Sequence, residues 1–595
     1  MMSITNITNL RASSIQPQIK PDVKVEEKAQ DKGATSKYLD NLAMVNAAAV
    51  KKVDLSSKTE APYKNNLRSM IQNNESVMLA IVPRVFTAED LNGDDKITLS
   101  EGEKVGTFLS GISRLDELKN DGINTIHILP IHPTGKKNAQ GTAGSIYSPA
   151  KYVTDDGHLA IDPMLIDKND PRTPDEQFKA FIDECHKRNI KVMLDLPSCA
   201  SVDMFEAEPE LMAYGRNGEE KTPQGWTDIR MFEPWADTAQ RTLNPKLLEM
   251  HKQFVDACID LGVDGIRSDV SRAKPTEFWD ELISYSHKKD PEFAWLAESY
   301  TYECASPMIN MPYDRPEDLL NAGFDEYYGQ YHIFHEWKNA KEFNDYVVSN
   351  LDLSHRLPAG KSVIGSFLTH DDSSSMIHGG ENFCKLTTIL QATLPMCNPY
   401  FIDGFQTGDY YDYKYRNDNN TETWTTKADP KTGEQVPKLD MNEHQYRLAL
   451  FNLARKPGGD CPDIERVMKG TLEMREKNLD VLADRNSSFI ELRKREDKND
   501  QIITYARHNN GRTILVVANK NPNRNVSGII EIPGLKADQK LVDMVPEYGE
   551  KSEFQVSANE LGVNLAPADA YVFEIDTPNI EKDRRNHTFK QKVSD

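Results

Sequence analysis

Apolar positions follow no period over the first 60 residues, except for a helix-like stretch at 36–53. Beyond residue 77 two periods alternate. VMLAIV (77–82) and NTIHILPI (124–131) are short apolar runs that predict strands, and Val105, Phe108, Leu109, Ile112, Leu115 and Leu118 recur between them at helical spacing. Thr173, Pro174 and Glu176 form a capping box with proline at the first helical position, and Phe178, Phe181, Ile182 and Cys185 supply the inner stripe. IKVMLDL (190–196) predicts a buried strand. A helix then opens at Asn244-Pro245 and stops at Gly262, followed by strand-like runs at 265–269, 293–298, 363–368 and 399–402.

This alternation predicts parallel strands joined by helical crossovers and buried on both faces. A (β/α)₈ barrel is the leading architecture and an open doubly wound sheet the second. No GxGxxG follows the first strand, which counts against a dinucleotide fold. After about residue 489 the period becomes two. Residues 501–520 read as two strands around Asn509-Asn510-Gly511, and 571–575 as a closing strand. The expected fold class is therefore α/β, a (β/α)₈ TIM barrel with a C-terminal antiparallel β-sandwich domain. The expected segments are a flexible polar leader (1–60), the barrel (61–485) with a short insertion after strand three (199–243), the β domain (486–576) and a charged tail (577–595).

Composition narrows the function classes. The net charge of −22 leaves no broad basic face, so no nucleic-acid partner is expected. The 7 cysteines are scattered without a CxxC pair, which disfavours a disulfide framework or a thiolate zinc site and favours a reducing compartment. No run approaches the ~18 apolar residues of a membrane helix. The N-terminus also lacks the apolar core of a secretory signal. The expectation is a cytoplasmic protein with no membrane partner; its oligomeric state is left open.

In a parallel barrel the strand C-termini face the active site. Asp195, Asp269 and Glu298 end predicted strands, and Asp371 lies just past another. Each alone reads equally well as a helix cap or a structural ion pair; four on successive strands point to a site. Converging carboxylates split their pKa values, so that one stays protonated beside an ionised neighbour. That is the equipment of glycoside hydrolysis or transfer, in which retaining enzymes set nucleophile and acid ~5–5.5 Å apart. Arg267, two residues before Asp269, projects to the same side and favours its ionised form.

A second motif, DLNGDDKITLSE (90–101), sets Asp90, Asn92, Asp94, the carbonyl of Lys96, Thr98 and Glu101 at positions 1, 3, 5, 7, 9 and 12 of an EF-hand-type loop. Oxygen ligands at that spacing suit Ca²⁺, expected here in a structural role. Asp95 stands where glycine makes the sharp turn, and an Asx-rich turn without metal is the alternative. His127 reads as a core histidine and His132 as a loop histidine. No GxSxG elbow is present.

These segments together resemble glycoside hydrolase family 13, the α-amylase family. DGIRSD (264–269) is similar to its G-F-R-x-D segment, which implies Asp269 as nucleophile with Arg267 beside it. LAES (296–299) implies Glu298 as general acid/base, and FLTHDD (367–372) implies His370 as a sugar hydrogen-bonder and Asp371 as transition-state stabiliser. VMLDLPSCA (192–200) matches the strand-three segment at Asp195 only, with Cys199 and Ala200 at the Asn-His positions and Thr369 replacing another usual Asn. GSIYSPAKYVTDDGHLAIDP (144–163) implies Tyr147 as the aromatic platform under the sugar, and Lys151 stands where Asp is common. The family often carries a calcium loop after its first strand, where residues 90–101 lie. DVSRAKPTEFW (269–279) is similar to the maltosyltransferase branch. Lys274 within it reads first as a surface lysine at a helix start, with contact to a charged or distal sugar as the alternative.

The expected function is a retaining α-glycosidase (hydrolase) acting by double displacement on α-glucosidic bonds of glucans or malto-oligosaccharides. The alternatives are an α-glucan glycosyltransferase of the maltosyltransferase kind and a non-catalytic glycan-binding barrel.

Overall fold

The structure, a computed structural model, describes residues 63–93, 97–139, 144–223, 228–300, 315–410, 426–428, 435–437, 457–582 and 586–587. The expected leader with its 36–53 stretch, and most of the charged tail, lie outside these.

Eight parallel strands form a closed sheet: β1 (Met78–Ile81), β2 (Thr125–Ile128), β3 (Lys191–Leu196), β4 (Gly265–Ser268), β5 (Ala294–Ala297), β6 (Glu326–Tyr327), β7 (Ser362–Ile364) and β8. β8 comes in two pieces. Cys397–Asn398 pairs with β7 and Tyr400–Ile402 pairs with β1, which closes the barrel. Pro399 between them has no N–H to give a ladder, yet its carbonyl accepts from Met78 N at 2.8 Å. β1 to β5 are buried along their whole length, as strands covered on both faces must be. The expectation of a TIM barrel is met.

The crossover helices begin and end where the sequence says. In α1 (Pro174–Lys187) the Thr173 side chain accepts from Glu176 N, and Phe178, Phe181, Ile182 and Cys185 are buried. In α2 (Pro245–Leu261) the Asn244 side chain accepts from Lys246 N and Leu247 N, and Gly262 ends the helix at φ 92°. α3 (Thr276–Lys289) follows β4. Two expectations differ in detail. The single helix expected across 105–118 is two short helices, Phe108–Gly111 and Leu115–Asn120, joined by a 3₁₀ turn. The strand expected at 363–368 ends at Ile364, and the rest is the loop that carries His370 and Asp371.

The C-terminal strands are β9 (Ser488–Glu491), β10 (Arg493–Arg495), β11 (Ile502–Asn509), β12 (Arg512–Asn519), β13 (Val526–Glu531), β14 (Glu553–Ser557), β15 (Glu560–Leu565), β16 (Ala570–Ile575) and the short β17 (Asn586–His587). They form two antiparallel sheets, ordered β16-β12-β11-β9-β17 and β10-β13-β15-β14. The β11–β12 turn is Asn510-Gly511 with φ 50° and 81°, the positive values that a two-residue type I′ hairpin needs. Alternation along β11 and β12 serves two cores. Ile503, Tyr505, Ile514 and Val516 join the barrel's core, while Ile502, Ala506, Leu515 and Val517 pack with Ile530, Leu561 and Leu565 of the second sheet. Among the described residues no helix is long and apolar enough to cross a membrane.

Candidate active site

The parallel register places Asp195 on β3 beside Arg267 on β4, and both are fully buried. Arg267 spends its N–H groups on four partners. Nη1 lies 3.0 Å from both Asp195 oxygens and from Asp269 Oδ1, Nη2 donates to Glu298 Oε2 at 2.7 Å, and Nε donates to Tyr328 Oη at 3.1 Å. One guanidinium thus gathers three of the four acidic residues expected from strand ends. Its Cζ also lies 5.7 and 5.1 Å from the ring centroids of Tyr147 and Tyr328, within cation–π range.

Asp269 follows β4, and its Oδ2 accepts from the amide and the hydroxyl of Ser198, at 3.2 and 3.1 Å. Glu298 follows β5 and accepts from Val270 N at 2.8 Å. Burial pushes the Glu298 carboxyl well above the usual range. Arg267 opposes that shift, and the negative charges of Asp269 and Asp371 add to it. Val270, between the two, holds φ 33° and ψ 63°, a left-handed conformation that costs a β-branched residue of order 1–3 kcal/mol. The strain sits where the nucleophile and acid segments of the resemblance meet.

Tyr147 Oη donates to Asp195 Oδ2 at 2.8 Å and lies 2.9 Å from His370 Nε2. A phenol has one hydrogen, so His370 donates in the second bond. The two rings are stacked at 8°. His370 Nε2 also lies 3.6 Å from Asp371 Oδ2, so this histidine and Tyr147 link the fourth acid to the other three. Thr369 organises that loop in place of the family's Asn: its hydroxyl donates to Asp372 Oδ2 at 2.6 Å and accepts from Asp371 N at 3.2 Å. All seven expected catalytic and sugar-binding positions therefore converge at the C-terminal end of the barrel.

The structure gives three further residues, each read differently or only in part from the sequence, a place beside the site. His127 on β2 is buried, 3.3 Å from Asp195 Oδ2 through Nε2 and 2.8 Å from Tyr400 Oη through Nδ1. Burial lowers its pKa despite Asp195, so it contributes as a neutral imidazole. It faces inward as a core histidine does, and only the register of β2 with β3 reveals its neighbour. His132 is a loop residue but a buried one, bonded to the Ala160 carbonyl. Lys274 corrects an expectation. It is not a surface lysine but 1% exposed, with Nζ 3.3 Å from the Ser198 carbonyl and among the rings of Phe232, Phe278 and Trp279. The K-P segment does start α3, but on its inner side.

In the 90–101 loop, Asp90 Oδ1 accepts from Gly93 N at 2.8 Å, and Asn92 Nδ2 donates to Glu101 Oε2 at 3.1 Å. Loop positions 3 and 12 thus meet through the Asn92 amide N–H. Thr98 precedes a 3₁₀ turn holding Glu101, while Asp94, Asp95 and Lys96 lie outside the described residues. Glu103, absent from the sequence-derived ligand set, closes the loop by accepting from Leu91 N and Thr98 N at 2.8 and 2.6 Å. Among the described residues no group of three or more His, Cys, Asp or Glu side chains gathers as a metal cluster.

No family model matches the chain. It is similar to the α-1,4-glucan:maltose-1-phosphate maltosyltransferase of Corynebacterium glutamicum, 26% identical over 443 residues that cover 70% of this chain and 56% of that protein. Its counterpart in Bifidobacterium animalis is 24% identical over 522 residues, covering 80% and 61%. The chain thus spans 56% and 61% of these two relatives' length, less than two thirds of either. Among solved structures it resembles a maltogenic α-amylase of Thermotoga neapolitana, with TM-score 0.59 and 20% identity over 85% of this chain and 100% of that one. It also resembles an α-amylase of Lactobacillus plantarum, with TM-score 0.57 and 17% identity over 85% and 99%. The chain has the fold of the solved α-amylases and its sequence relatives are maltosyltransferases, so the resemblance to glycoside hydrolase family 13 and its maltosyltransferase branch is borne out.

Proposed function

We propose that this protein is a retaining α-glucan glycosyltransferase that moves a maltosyl unit from an activated donor, of the maltose-1-phosphate kind named for its relatives, to the end of a glucan. The observation that carries the reading is the single guanidinium of Arg267 shared by Asp195, Asp269 and Glu298, beside a Glu298 carboxyl raised by burial. The motifs alone favour hydrolysis; the similarity to maltosyltransferases favours transfer, the alternative that the K-P segment already suggested.

In the first step the Asp269 carboxylate attacks the donor's anomeric carbon, and the bond to the leaving oxygen breaks. Glu298, protonated, gives that oxygen its proton. In the second step Glu298, now a carboxylate, takes the proton of an acceptor hydroxyl. That oxygen attacks the same carbon and frees Asp269, so two inversions retain the configuration. Arg267, buried and 3.0 Å from Asp269 Oδ1, pairs with the nucleophile and holds that oxygen in place. Asp371 stabilises positive charge developing on the sugar, and Tyr147, Asp195 and His370 hold the ring. The proposal includes a structural Ca²⁺ in the 90–101 loop, supported by the oxygen-rich spacing of its side chains.

The test is incubation with maltose 1-phosphate and maltoheptaose. Phosphate release matched by chains longer by one maltosyl unit supports transfer. Free maltose without longer chains returns the reading to hydrolysis, and no product from any α-glucoside leaves a glycan-binding barrel.

A further inference from the structure

The strand-three turn, where the family's Asn-His pair is lost, is pinned by buried side chains at three successive carbonyls. The Tyr152 hydroxyl lies 2.9 and 2.6 Å from the carbonyls of Pro197 and Cys199, and Lys274 Nζ lies 3.3 Å from that of Ser198. With its carbonyl held from one side, Ser198 turns its amide and hydroxyl to the other, where both reach Asp269 Oδ2. The second oxygen, Oδ1, belongs to Arg267. We infer that Lys274 and Ser198 are positioning residues for the nucleophile: Lys274 clamps the Ser198 carbonyl so that Ser198 fixes the rotation of the Asp269 carboxylate.

This inference rests on the transfer mechanism above for the role of Asp269, and on geometry alone for the clamp. An uncharged residue would fill the site between Phe232, Phe278 and Trp279 at lower cost, because a buried cation must be stripped of water. That cost is visible in the Lys274 ammonium, which burial pushes down to about 8 despite the nearby Cys199 and Asp269. The titratable groups that face it are Cys199 from the turn, Asp269 from the end of β4 and His251 from α2. Burial pushes the Cys199 thiol up to about 12 and the His251 imidazole well down, so neither of these two offers Lys274 a charged partner. A group that costs stability and faces the nucleophile is one kept for what it does to the site.

The experiment compares wild type, Lys274→Met and Ser198→Ala by steady-state kinetics with maltose 1-phosphate and maltoheptaose, by thermal melting, and by a crystal structure of Lys274→Met. The expected result for Lys274→Met is a kcat lower by about 10- to 100-fold from nucleophile misplacement, with the donor KM changed less than about twofold. Its melting temperature should be equal or higher, and the hydrogen bonds from Ser198 to Asp269 should be broken. Ser198→Ala should lose kcat in the same direction by a smaller factor, without losing stability. An unchanged kcat in an active background, a lowered melting temperature in both variants, or a Lys274→Met structure that keeps both Ser198 hydrogen bonds overturns the clamp. If wild type itself transfers nothing, the proposed reaction has failed, and the crystal structure still decides whether Lys274 holds the turn.

Discussion

At the scale of single residues, two of the buried carboxyls whose pKa is raised make separate pH predictions, one inside the site and one outside it. Glu298 has a folded pKa raised above the unfolded value near 4.3, so the native state holds its proton longer. Stability therefore declines as pH rises from that value through the folded pKa, and activity that needs the protonated acid declines through the same upper limit. Glu298→Gln should lose most turnover, yet melt at the same or a higher temperature at neutral pH; a lower melting temperature would show that its charge pair with Arg267 outweighs the burial cost. Glu326 on β6 is raised to about 8 by burial and meets Asn398 Nδ2 at 2.7 Å, with no part in the site. It is mostly protonated at pH 7, so Glu326→Gln should leave the melting temperature there almost unchanged. At pH 9 the variant should be the more stable of the two, because wild type must bury a charge. Melting curves at both pH values check this.

At the scale of elements, β4 and β5 approach too closely for a side chain at Gly265, where a Cβ would lie 2.7 Å from the Ala294 carbonyl. Gly265→Ala should cost about 1–3 kcal/mol by overpacking and displace Asp269 with its strand, which a denaturation midpoint and a kcat measurement would read together. The Ca²⁺ proposed for the 90–101 loop gives a cleaner test. Ca²⁺ binding only the folded state raises stability by mass action, so EDTA should lower the melting temperature and excess Ca²⁺ restore it. Identical curves in both would remove the metal from the account. Elements such as β3, α1 and α2 were legible because long apolar runs, a capping box and a C-terminal glycine are local signals. β6 was not, since a two-residue strand in DEYYG carries no period and is defined by its neighbours β5 and β7. The site divides the same way. Asp195, Asp269 and Glu298 announce themselves by ending apolar runs, whereas His127 and Lys274 acquire meaning only from what the closed barrel brings beside them.

At the scale of the whole molecule, one face of the β11–β12 sheet joins the barrel's core while the other packs on the second sheet, and Arg507 on β11 ties domain and barrel together. Its guanidinium is fully buried and donates to the carbonyls of Thr393 and Leu482 at 3.1 and 2.8 Å. Arg507→Met strands these acceptors and should cost about 2–4 kcal/mol, read as an earlier denaturation midpoint for barrel and sandwich alike. Separate transitions would mean that the β domain is only loosely coupled. The packing of domain on barrel gives the site a rigid base, while the proposed chemistry depends on one covalent intermediate. The most direct measurement is intact-mass and peptide mass spectrometry of Glu298→Gln after incubation with α-maltosyl fluoride. Fluoride needs no acid to leave, so Asp269 can still be glycosylated, and without the general base the adduct is slow to resolve. A protein heavier by one maltosyl unit, with the mass on the peptide containing Asp269, is the predicted result. No adduct, or one on a different residue, contradicts double displacement at Asp269.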